Sequence, residues 1–427
     1  MGITAFPFTA VIDVPTARIL GRDDAGTGAA EALTNTEIFA ILGTGTPSAS
    51  TYLRGDGTWA SVSAGVGGST GSVDNAVLRA DGAGGATLQA SSIVITDNFT
   101  ASPNATVNHA SIQATGDTTN VSVSVVPKGS GAFSLHVPDG TTTGGNARGA
   151  NAIDLQTSRT AANQVASGTG SAIVGGQGQR ASNTNSGCFA GANTVTGDHS
   201  GALAGSNTVS GNFAGSVGGQ AGAISGARAG SVGGIYPTPS GTNSAVLGGD
   251  FGRPTGENAV TLGGRECQSD AANSISHGDR AVARLHAMRA TSGGRFAAAG
   301  DAQAIECVLR NKTITNSAVT LFLDGASIRL TIPSGKILHA TVHILGSKSD
   351  GTAVANYMRQ VGIKNVGGTT SLVGTVNTIG TDEAAGTSIA ITADDTNDAL
   401  QINVTGVTSE TWRWVAVVYG VELAYGN

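Results

Sequence analysis

The sequence "SAVLGGDFGRPTGENAVTLGGRECQSDAANSISHGD", residues 244–279, repeats one pattern at nearly constant spacing. A short run of small or apolar residues ends at a marker glycine, Gly248, Gly263 or Gly278, and polar turn residues follow it. Self-similarity at such a period is the signature of stacked coils, none of which buries its apolar face alone. The stretch therefore predicts parallel β-coils.

The same pattern extends back to residue 171, and an alignment of eight runs places the marker glycine at 175, 191, 205, 218, 233, 248, 263 and 278. In each run, the residue before the marker and the residue two places earlier are predicted to point inward, because strand side chains alternate with period two. The rest of each unit predicts a second short strand and a turn. The interior residues are small, so several chains around one axis are expected to supply the missing burial. The predicted trimer core is Ala172, Val174, Ala202, Ala204, Val217, Val232, Ala245, Leu247, Val260, Leu262, Ile275 and His277.

Composition argues for an ordered, repetitive β-protein. Of 427 residues, 65 are glycine, aromatic residues make up 4% and charged residues 12%. Intrinsic disorder requires low hydrophobicity with high net charge, whereas this chain is 39% apolar with a net charge of −6. A chain of this kind fits burial by small side chains and neighbouring subunits.

Several functional classes are disfavoured by charge and cysteine content. The scattered Lys and Arg residues form no stripe that could follow a phosphate backbone, so nucleic acid is not an expected partner. Cys188, Cys267 and Cys307 are odd in number and widely spaced, which indicates neither a disulfide framework nor a zinc site. Residues 1–20 do not read as a signal peptide, and no stretch reads as a membrane span, so we expect synthesis in a cytoplasm without membrane insertion.

Longer alternating runs after residue 285 predict an antiparallel β-sandwich of the jelly-roll kind. The predicted inward residues are Ile328, Leu330, Ile332, Leu338, Ala340, Val342, Ile344, Leu400, Ile402, Val404, Trp412, Trp414, Ala416 and Val418.

The N-terminal third predicts a short helix and then short strands. In "LTNTEIFAILG", residues 33–43, Thr34 and Glu37 form a capping box and Gly43 ends the helix. "SIVITD" and the alternating Val121, Val123 and Val125 predict strands, and "PKGSG", residues 127–131, predicts a turn. "TYLRGDGTW", residues 51–59, contains a tight Asp-Gly turn, and its large side chains are expected to meet between chains.

These residues resemble two families. Residues 21–62, "GRDDAGTGAAEALTNTEIFAILGTGTPSASTYLRGDGTWASV", resemble a module near the N-termini of bacteriophage tail fibres, and "SVDNAVLRADGAGGATLQAS" and "VVPKGSGAF" resemble segments that follow it. The repeats with "SISHGDRAVARLHAMRA" resemble the head and neck of trimeric autotransporter adhesins. The resemblance implies a left-handed parallel β-roll shared by three chains and attachment of the N-terminus to a phage tail or baseplate protein.

The resulting fold class is all-β: an elongated homotrimeric fibre with a short N-terminal helix, a β-rich shaft, β-roll repeats and a jelly-roll-like sandwich tip. The expected domains are a virion-attachment module (1–65), a shaft (66–150), β-roll repeats with a neck (151–284) and the tip (285–427).

Candidate receptor contacts lie in three loops of the tip, residues 346–357, 365–370 and 380–387, because loops there can be presented in three copies. They are Ser347, Lys348, Asp350, Asn365, Thr369, Asp382 and Glu383. The alternative is that these are ordinary connections and that binding occurs on the shaft.

No cofactor, metal or catalytic residue is expected, but some local patterns stay open. His277 could form a metal or anion site with its symmetry mates or a simple packed layer. Asp394, Asp395 and Asp398 could bind calcium or form a solvated hairpin. His339 and His343 lie too far apart along one strand to share an ion. Gly67–Gly71 matches a nucleophile-elbow string without its strand–helix context.

The function predicted from sequence is that of a non-enzymatic phage tail fibre, a virion protein that binds a host-surface glycan or protein through its C-terminus. Two alternatives stay open: a polysaccharide-degrading tailspike, and a purely structural collar or capsid fibre.

Overall fold

The structure is a computed structural model, and it describes residues 16, 18–61, 76–81, 87–96, 111–114 and 120–426. The chain divides into two compact units, Met1–Val125 and Val126–Asn427. The protein is all-β with almost no helix, and the second unit contains a β-solenoid of about nine turns.

The first unit contains one helix and short antiparallel pairs. Its elements are β1 (Ile19–Gly21), β2 (Glu31–Leu33), α1 (Asn35–Leu42), β3 (Thr51–Leu53), β4 (Trp59–Ser61), β5 (Ala76–Asp81), β6 (Thr87–Thr96) and β7 (Ser111–Ala114). Strand β1 pairs with β2, β3 with β4, and β6 with both β5 and β7.

The helix α1 begins where its capping box lies. The Glu37 amide donates to Thr34 Oγ1 at 3.3 Å, and the Thr34 amide donates to Glu37 Oε2 at 2.6 Å. The β3–β4 hairpin holds the other end, since Trp59 Nε1 donates to the Phe39 carbonyl at 3.1 Å and the two rings meet edge to face. The Trp59 side chain therefore contacts its own chain. Gly57 adopts φ +78 in the tight turn between the two strands.

One strand predicted from alternation is wrong. Val121, Val123 and Val125 lie outside any strand and are 45 to 69% exposed. The predicted turn after them is present, with the Gly131 amide donating to the Lys128 carbonyl at 3.1 Å. The Gly67–Gly71 string lies outside the described residues.

The solenoid is built from short parallel strands. They are β8 (Phe133–Ser134), β9 (Ile153–Asp154), β10 (Ala172–Val174), β11 (Arg180–Ala181), β12 (Gly187–Phe189), β13 (Thr194–Val195), β14 (Gly201–Leu203), β15 (Ser206–Val209), β16 (Gly215–Val217), β17 (Gln220–Ile224), β18 (Gly230–Val232), β19 (Ala245–Leu247), β20 (Arg253–Pro254), β21 (Val260–Arg265), β22 (Gln268–Ser269), β23 (Ile275–Asp279), β24 (Val282–Ala283) and β25 (Arg289–Gly293).

Two faces of each coil carry these strands. The first face stacks β8, β9, β10, β12, β14, β16, β18, β19, β21, β23 and β25 in parallel. The second face stacks β11, β13, β15 and β17, then β20, β22 and β24. Seven of the eight predicted units therefore contain a second short strand, whereas the unit that follows Gly233 does not.

The first face corrects the predicted inward positions. The middle residue of each strand points into the coil: the series Ile173, Cys188, Ala202, Ser216, Ser231, Val246, Thr261 and Ser276 is at most 3% exposed. The flanking residues, which include Val174, Val217, Val232, Leu247 and Leu262, point outward. Four of the inward residues are Ser or Thr, while the outward residues are apolar, so the usual rule that the apolar side of a strand points inward selects the wrong side here.

The alignment of the repeats misplaced Ala190 and Ala204, because it slipped by one residue in these two coils. Ala190 and Ala204 occupy left-handed corners, with φ of +50 and +59, at the place where the next coil has Gly218. The predicted markers 191 and 205 are therefore the second corner residue. Ala202 therefore lies inside the coil, as predicted, whereas Ala204 lies at a corner instead of pointing inward.

Close approach of successive coils explains part of the glycine content. A Cβ placed on Gly241 would lie 2.1 Å from the Gly256 carbonyl oxygen of the next coil. No side chain fits at that distance, so glycine is required at this corner.

The C-terminal part consists of long antiparallel strands. They are β26 (Ala302–Thr313), β27 (Ala318–Thr320), β28 (Leu330–Thr331), β29 (Lys336–Lys348), β30 (Val354–Val366), β31 (Thr369–Thr378), β32 (Ser388–Asp394), β33 (Ala399–Thr405) and β34 (Trp412–Ala424). Strands β26, β34, β29, β30 and β31 continue the first sheet beyond β25, while β27, β28 and β32 pair with β33.

Residues from both C-terminal sheets share one buried cluster. The inward residues predicted on β29, β33 and β34 are buried, including the stacked Trp412 and Trp414 rings, whose centroids lie 5.7 Å apart. Leu330 and Ile332 are buried as predicted, but Ile328 is 40% exposed because it lies in the loop before β28.

We expect Val246→Asp to unfold the solenoid, because it buries a charge without a partner at a position that is 0% exposed. The loss in free energy of unfolding should exceed about 4 kcal/mol. Thr242→Asp, in the exposed turn of the same coil, should change it by less than about 0.5 kcal/mol. Thermal melts of equal midpoint for the two variants would show that the strand facing is wrong.

Candidate functional site

The first face of the solenoid carries an apolar strip on its outside. The strip consists of the third residues of successive strands: Val174, Phe189, Leu203, Val217, Val232, Leu247 and Leu262. Their side chains are 39 to 53% exposed in the single chain. Exposed apolar patches of such continuity mark interaction surfaces.

A groove of small residues runs beside this strip. The first residues of the same strands include Gly187, Gly201, Gly215, Gly230 and Ala245. The last four of these, together with the part of the strip from Phe189 to Leu247, line a cavity of about 570 Å³. The face therefore presents a ridge of Val and Leu next to a furrow of Gly.

The strip changes character at its C-terminal end. His277 and Thr291 follow Leu262 in the same column, and His277 Nε2 lies 2.6 Å from Thr291 Oγ1. Val260 and Ile275 replace the glycines in the adjacent column. Ten of the twelve predicted trimer-core residues lie in these two columns, the exceptions being Ala202 and Ala204.

Two of the three predicted receptor loops come together. Asn356 and Glu383 form an isolated antiparallel bridge, and Tyr357 Oη lies 2.7 Å from Thr387 Oγ1, which joins loop 380–387 to the start of β30. The third loop, with Thr369, lies at the other end of β30. The three loops do not form one surface on a single chain.

Several of the residues predicted to contact a receptor instead form hydrogen bonds within the fold. Arg359 donates from both terminal nitrogens to Asp382 at 2.7 Å, and this hydrogen bonding holds the pKa of the Asp382 carboxyl below its usual range. Asn365 is buried and donates to the Ile332 carbonyl at 2.9 Å. Asn365 therefore positions a turn, while Thr369 and Glu383 remain exposed.

Ion pairs of Lys348 stabilise the loop that contains Ser347–Asp350. Lys348 lies 3.3 Å from Asp350 and 3.2 Å from Glu410. The Thr352 backbone amide and hydroxyl, and then Lys348, lower the pKa of Asp350 to about 2. This loop presents ionised groups at ordinary pH.

The acidic turn of β32–β33 is occupied by protein partners. Asp394 pairs with Arg329 at 3.1 Å, and Asp395 and Asp398 accept hydrogen bonds from the amide and hydroxyl of Thr370. His339 and His343 are exposed on β29, and the His343 ring meets the edge of Tyr419 at 5.8 Å. Over the described ranges, the acidic group with metal-compatible spacing is the exposed Asp23, Asp24 and Glu31.

Sequence reasoning missed two pairs of stacked rings on the outside of the solenoid. His199 and Phe213 stack at 5.1 Å between centroids, and Tyr236 and Phe251 stack at 4.8 Å. The signal was available, because each pair is separated by one coil, 14 or 15 residues, in a chain with few aromatic residues.

Comparison with known proteins gives a distant likeness to phage tailspikes. Solved structures similar to the chain include a tailspike of Acinetobacter baumannii bacteriophage Fri1, described as a capsular polysaccharide depolymerase, with 8% identity, TM-score 0.19 and coverage of 58% of this chain and 61% of that one. Another is the tailspike of Acinetobacter baumannii phage AM24, with 7% identity, TM-score 0.20 and coverage of 64% and 59%. No protein-family model and no curated protein matches the chain.

These structures contradict the prediction that the chain is not an enzyme, since they are tailspikes and one is described as a depolymerase. At such TM-scores the likeness assigns neither an activity nor a residue to this chain. Enzymatic activity is therefore no longer excluded, and no catalytic site is assigned.

Among the described residues, no helix is long and apolar enough to cross a membrane.

The three cysteine thiols should be unreactive toward alkylating reagents in the native protein. Burial raises the pKa of Cys188 and of Cys307 to about 12, and burial also raises the pKa of Cys267. Because the thiolate is the reactive form, we expect negligible alkylation by iodoacetamide at pH 8 and full alkylation in denaturant, measured by intact mass. Rapid native labelling would contradict the described coil interior.

Proposed function

We propose that the chain is a subunit of a homotrimeric phage tail protein that binds a polysaccharide of the host surface. The N-terminal stretch that resembles tail-fibre modules supports the assignment to a phage tail. The apolar strip is the single observation that carries the trimer, because it leaves a row of Val and Leu side chains without cover on one chain.

The ridge and furrow of the strip favour a closed head-to-tail ring of chains over a pair of two chains. A ridge that fits a furrow on the next copy makes a head-to-tail contact, and such contacts close into rings when the rotation permits. With three copies, the strips line one axis and the second faces and corners remain outside. This arrangement leaves the charged and aromatic surface free for a ligand.

Two further elements belong to this proposal. The coils are proposed to be left-handed, as the resemblance implies, and residues 285–427 are proposed to form a sandwich, as the alternating strands imply.

The exposed Ile41 and Leu42 of α1 are expected to be covered by copies of the helix or by a tail or baseplate protein. The proposed location is the virion tail, after synthesis in the host cytoplasm.

Cleavage of the bound polysaccharide is a second candidate function. Hydrolysis of a glycosidic bond uses two neighbouring carboxylates. Glu266 and Asp279 are both held by Arg280, at 2.9 Å each, on the outside of the solenoid near Phe251. Incubation of the protein with capsule from cells that it binds, followed by assay of new reducing ends, tests this activity. Absence of new ends in a protein that still adsorbs would reject it.

Light scattering should give a mass about three times the 42.0 kDa of one chain. The double variant Val217→Glu and Val232→Glu should lower the mass to that of one chain, because it places six unpaired charges on the axis. Thr242→Glu, outside the strip, should remain trimeric. A wild-type protein that is a stable, folded monomer would overturn the trimer.

Purified wild-type trimer should adsorb to host cells and block infection when added first. The strip double variant should lose this block, since single weak contacts lose their avidity. Adsorption that is never blocked by a trimeric protein would favour a purely structural virion role.

A further inference from the structure

We infer that the corner around Tyr236 and Phe251 is a subsite for a carboxylate-bearing sugar unit of a polysaccharide. The inference deepens the proposed function, on which it rests, by naming a ligand class and a place on the solenoid. It starts from one column of corner residues: Ala221, Tyr236, Phe251, Glu266 and Arg280.

All five corner residues adopt left-handed backbone, with φ between +53 and +62, and they are stacked one coil apart. Tyr236 and Phe251 are both 44% exposed, and their rings are nearly parallel at an angle of 14°. Ala221 precedes Tyr236 in the column and has no side chain beyond Cβ to cover the ring. The column therefore holds an aromatic surface at the outside of the coil.

Polar groups that suit a sugar stand next to these rings. Phe251, Arg253, Glu266 and Gln268 line a cavity of about 270 Å³. Arg253 and Gln268 are neighbours in the second-face ladder, so their side chains lie on the same outward column. An aromatic ring combined with amide and guanidinium donors matches the apolar face and the hydroxyl or carboxylate groups of a sugar.

The charges around the cavity select an acidic sugar. Glu266 is held by both nitrogens of Arg280, at 2.9 and 3.1 Å, and lies 3.6 Å from Arg295. Asp279 pairs with Arg265 at 2.9 Å and with Arg280. Hydrogen bonding and charge from Arg265 hold the pKa of Asp279 below its usual range, so this carboxylate stays ionised and paired.

The other charged groups beside the cavity are paired with one another in the described residues. Glu266 pairs with Arg280 and Arg295, and Asp279 pairs with Arg265 and Arg280. Arg253 is exposed, and within the described part of the chain its guanidinium has no ion pair or side-chain hydrogen bond. A guanidinium forms a bidentate pair with a carboxylate, which is the group that a uronic acid unit supplies.

The other ring pair provides a matched control. His199 and Phe213 also stack at a solenoid corner, but their neighbour is Asn185, whose Nδ2 lies 3.2 Å from His199 Nε2. The next residue in that column is the exposed Arg228, so a ring and a guanidinium stand together at this corner as well. The cavity lined by Arg253 and Gln268 belongs to the Tyr236–Phe251 corner. Phe213→Ala and Arg228→Gln therefore test whether a ring and a guanidinium are sufficient without that cavity.

The test uses saturation-transfer NMR of the intact protein with sodium glucuronate and sodium galacturonate as probes, and glucose and galactose as neutral counterparts. Single sugars bind with roughly millimolar Kd, so probe concentrations of about 10 mM suffice. We expect transfer to both uronates, at least several-fold weaker transfer to the neutral sugars, and loss of the uronate signal in Phe251→Ala and in Arg253→Gln.

Phe213→Ala and Arg228→Gln should each retain the wild-type signal, and each variant should keep the wild-type mass and melting temperature. No uronate signal in the wild type, or equal signals in wild type, Phe251→Ala and Arg253→Gln, overturns the subsite. Host-cell adsorption, measured on the same samples, separates the two claims. Adsorption without a uronate signal rejects only the subsite, whereas a uronate signal without adsorption to any host rejects the receptor function and leaves the subsite standing.

Discussion

The narrow interior of the coil is the constraint on which the rest of the structure depends. Each first-face strand of the repeats sends one residue inward, and several of these are as small as Ala202, Ser216 and Ser231. Ser216 and Ser231 use the space for a hydroxyl–hydroxyl hydrogen bond of 3.0 Å. Such an interior buries little apolar area, and the hydrophobic effect scales with that area. The larger side chains of each strand point outward into the strip, where a second and third chain are proposed to cover them.

The solenoid and the C-terminal strands form one hydrogen-bonded structure. Strand β25 ends the parallel ladder and pairs antiparallel with β26, so the first sheet passes from coils to long strands without a break. Glu422 lies at this junction, 1% exposed, and is contacted by Arg284, Lys336 and Gln303. Removing one partner of a buried charge cluster is costly, so these groups fix the last coil against the C-terminal sheet.

Sequence alone predicted the buried face of the long C-terminal strands. The alternation in β29, β33 and β34 identified the buried residues correctly, helped in β29 by polar outward residues such as His339 and His343. The outward residues of β34 include the apolar Val415 and Val421, and there the buried face is the one that carries both tryptophans. The same rule failed in the repeats, where Val246 points inward and Leu247 outward and both are apolar. Ala190 and Ala204 at left-handed corners caused the slip of one residue, since a glycine was expected there.

The candidate sites were predictable to a smaller extent. Loops were identified from turn residues, but the pairing of Asp382 with Arg359 and the burial of Asn365 depend on strands that are distant in sequence. The Tyr236–Phe251 corner depends on the coil length, which brings residues 15 positions apart into stacking contact. Once the repeat is known, that spacing is enough to find the ring pairs.

Disulfide cross-linking at the strip tests the central claim most directly. In Leu247→Cys, three copies would place the new thiols around one axis, while the native cysteines remain buried. The account predicts that mild oxidation links two of the three chains on a non-reducing gel, and that Thr242→Cys, in the exposed turn of the same coil, gives no such product. Equal cross-linking of the two variants, or none in Leu247→Cys within a trimeric protein, would contradict an axis lined by the strip.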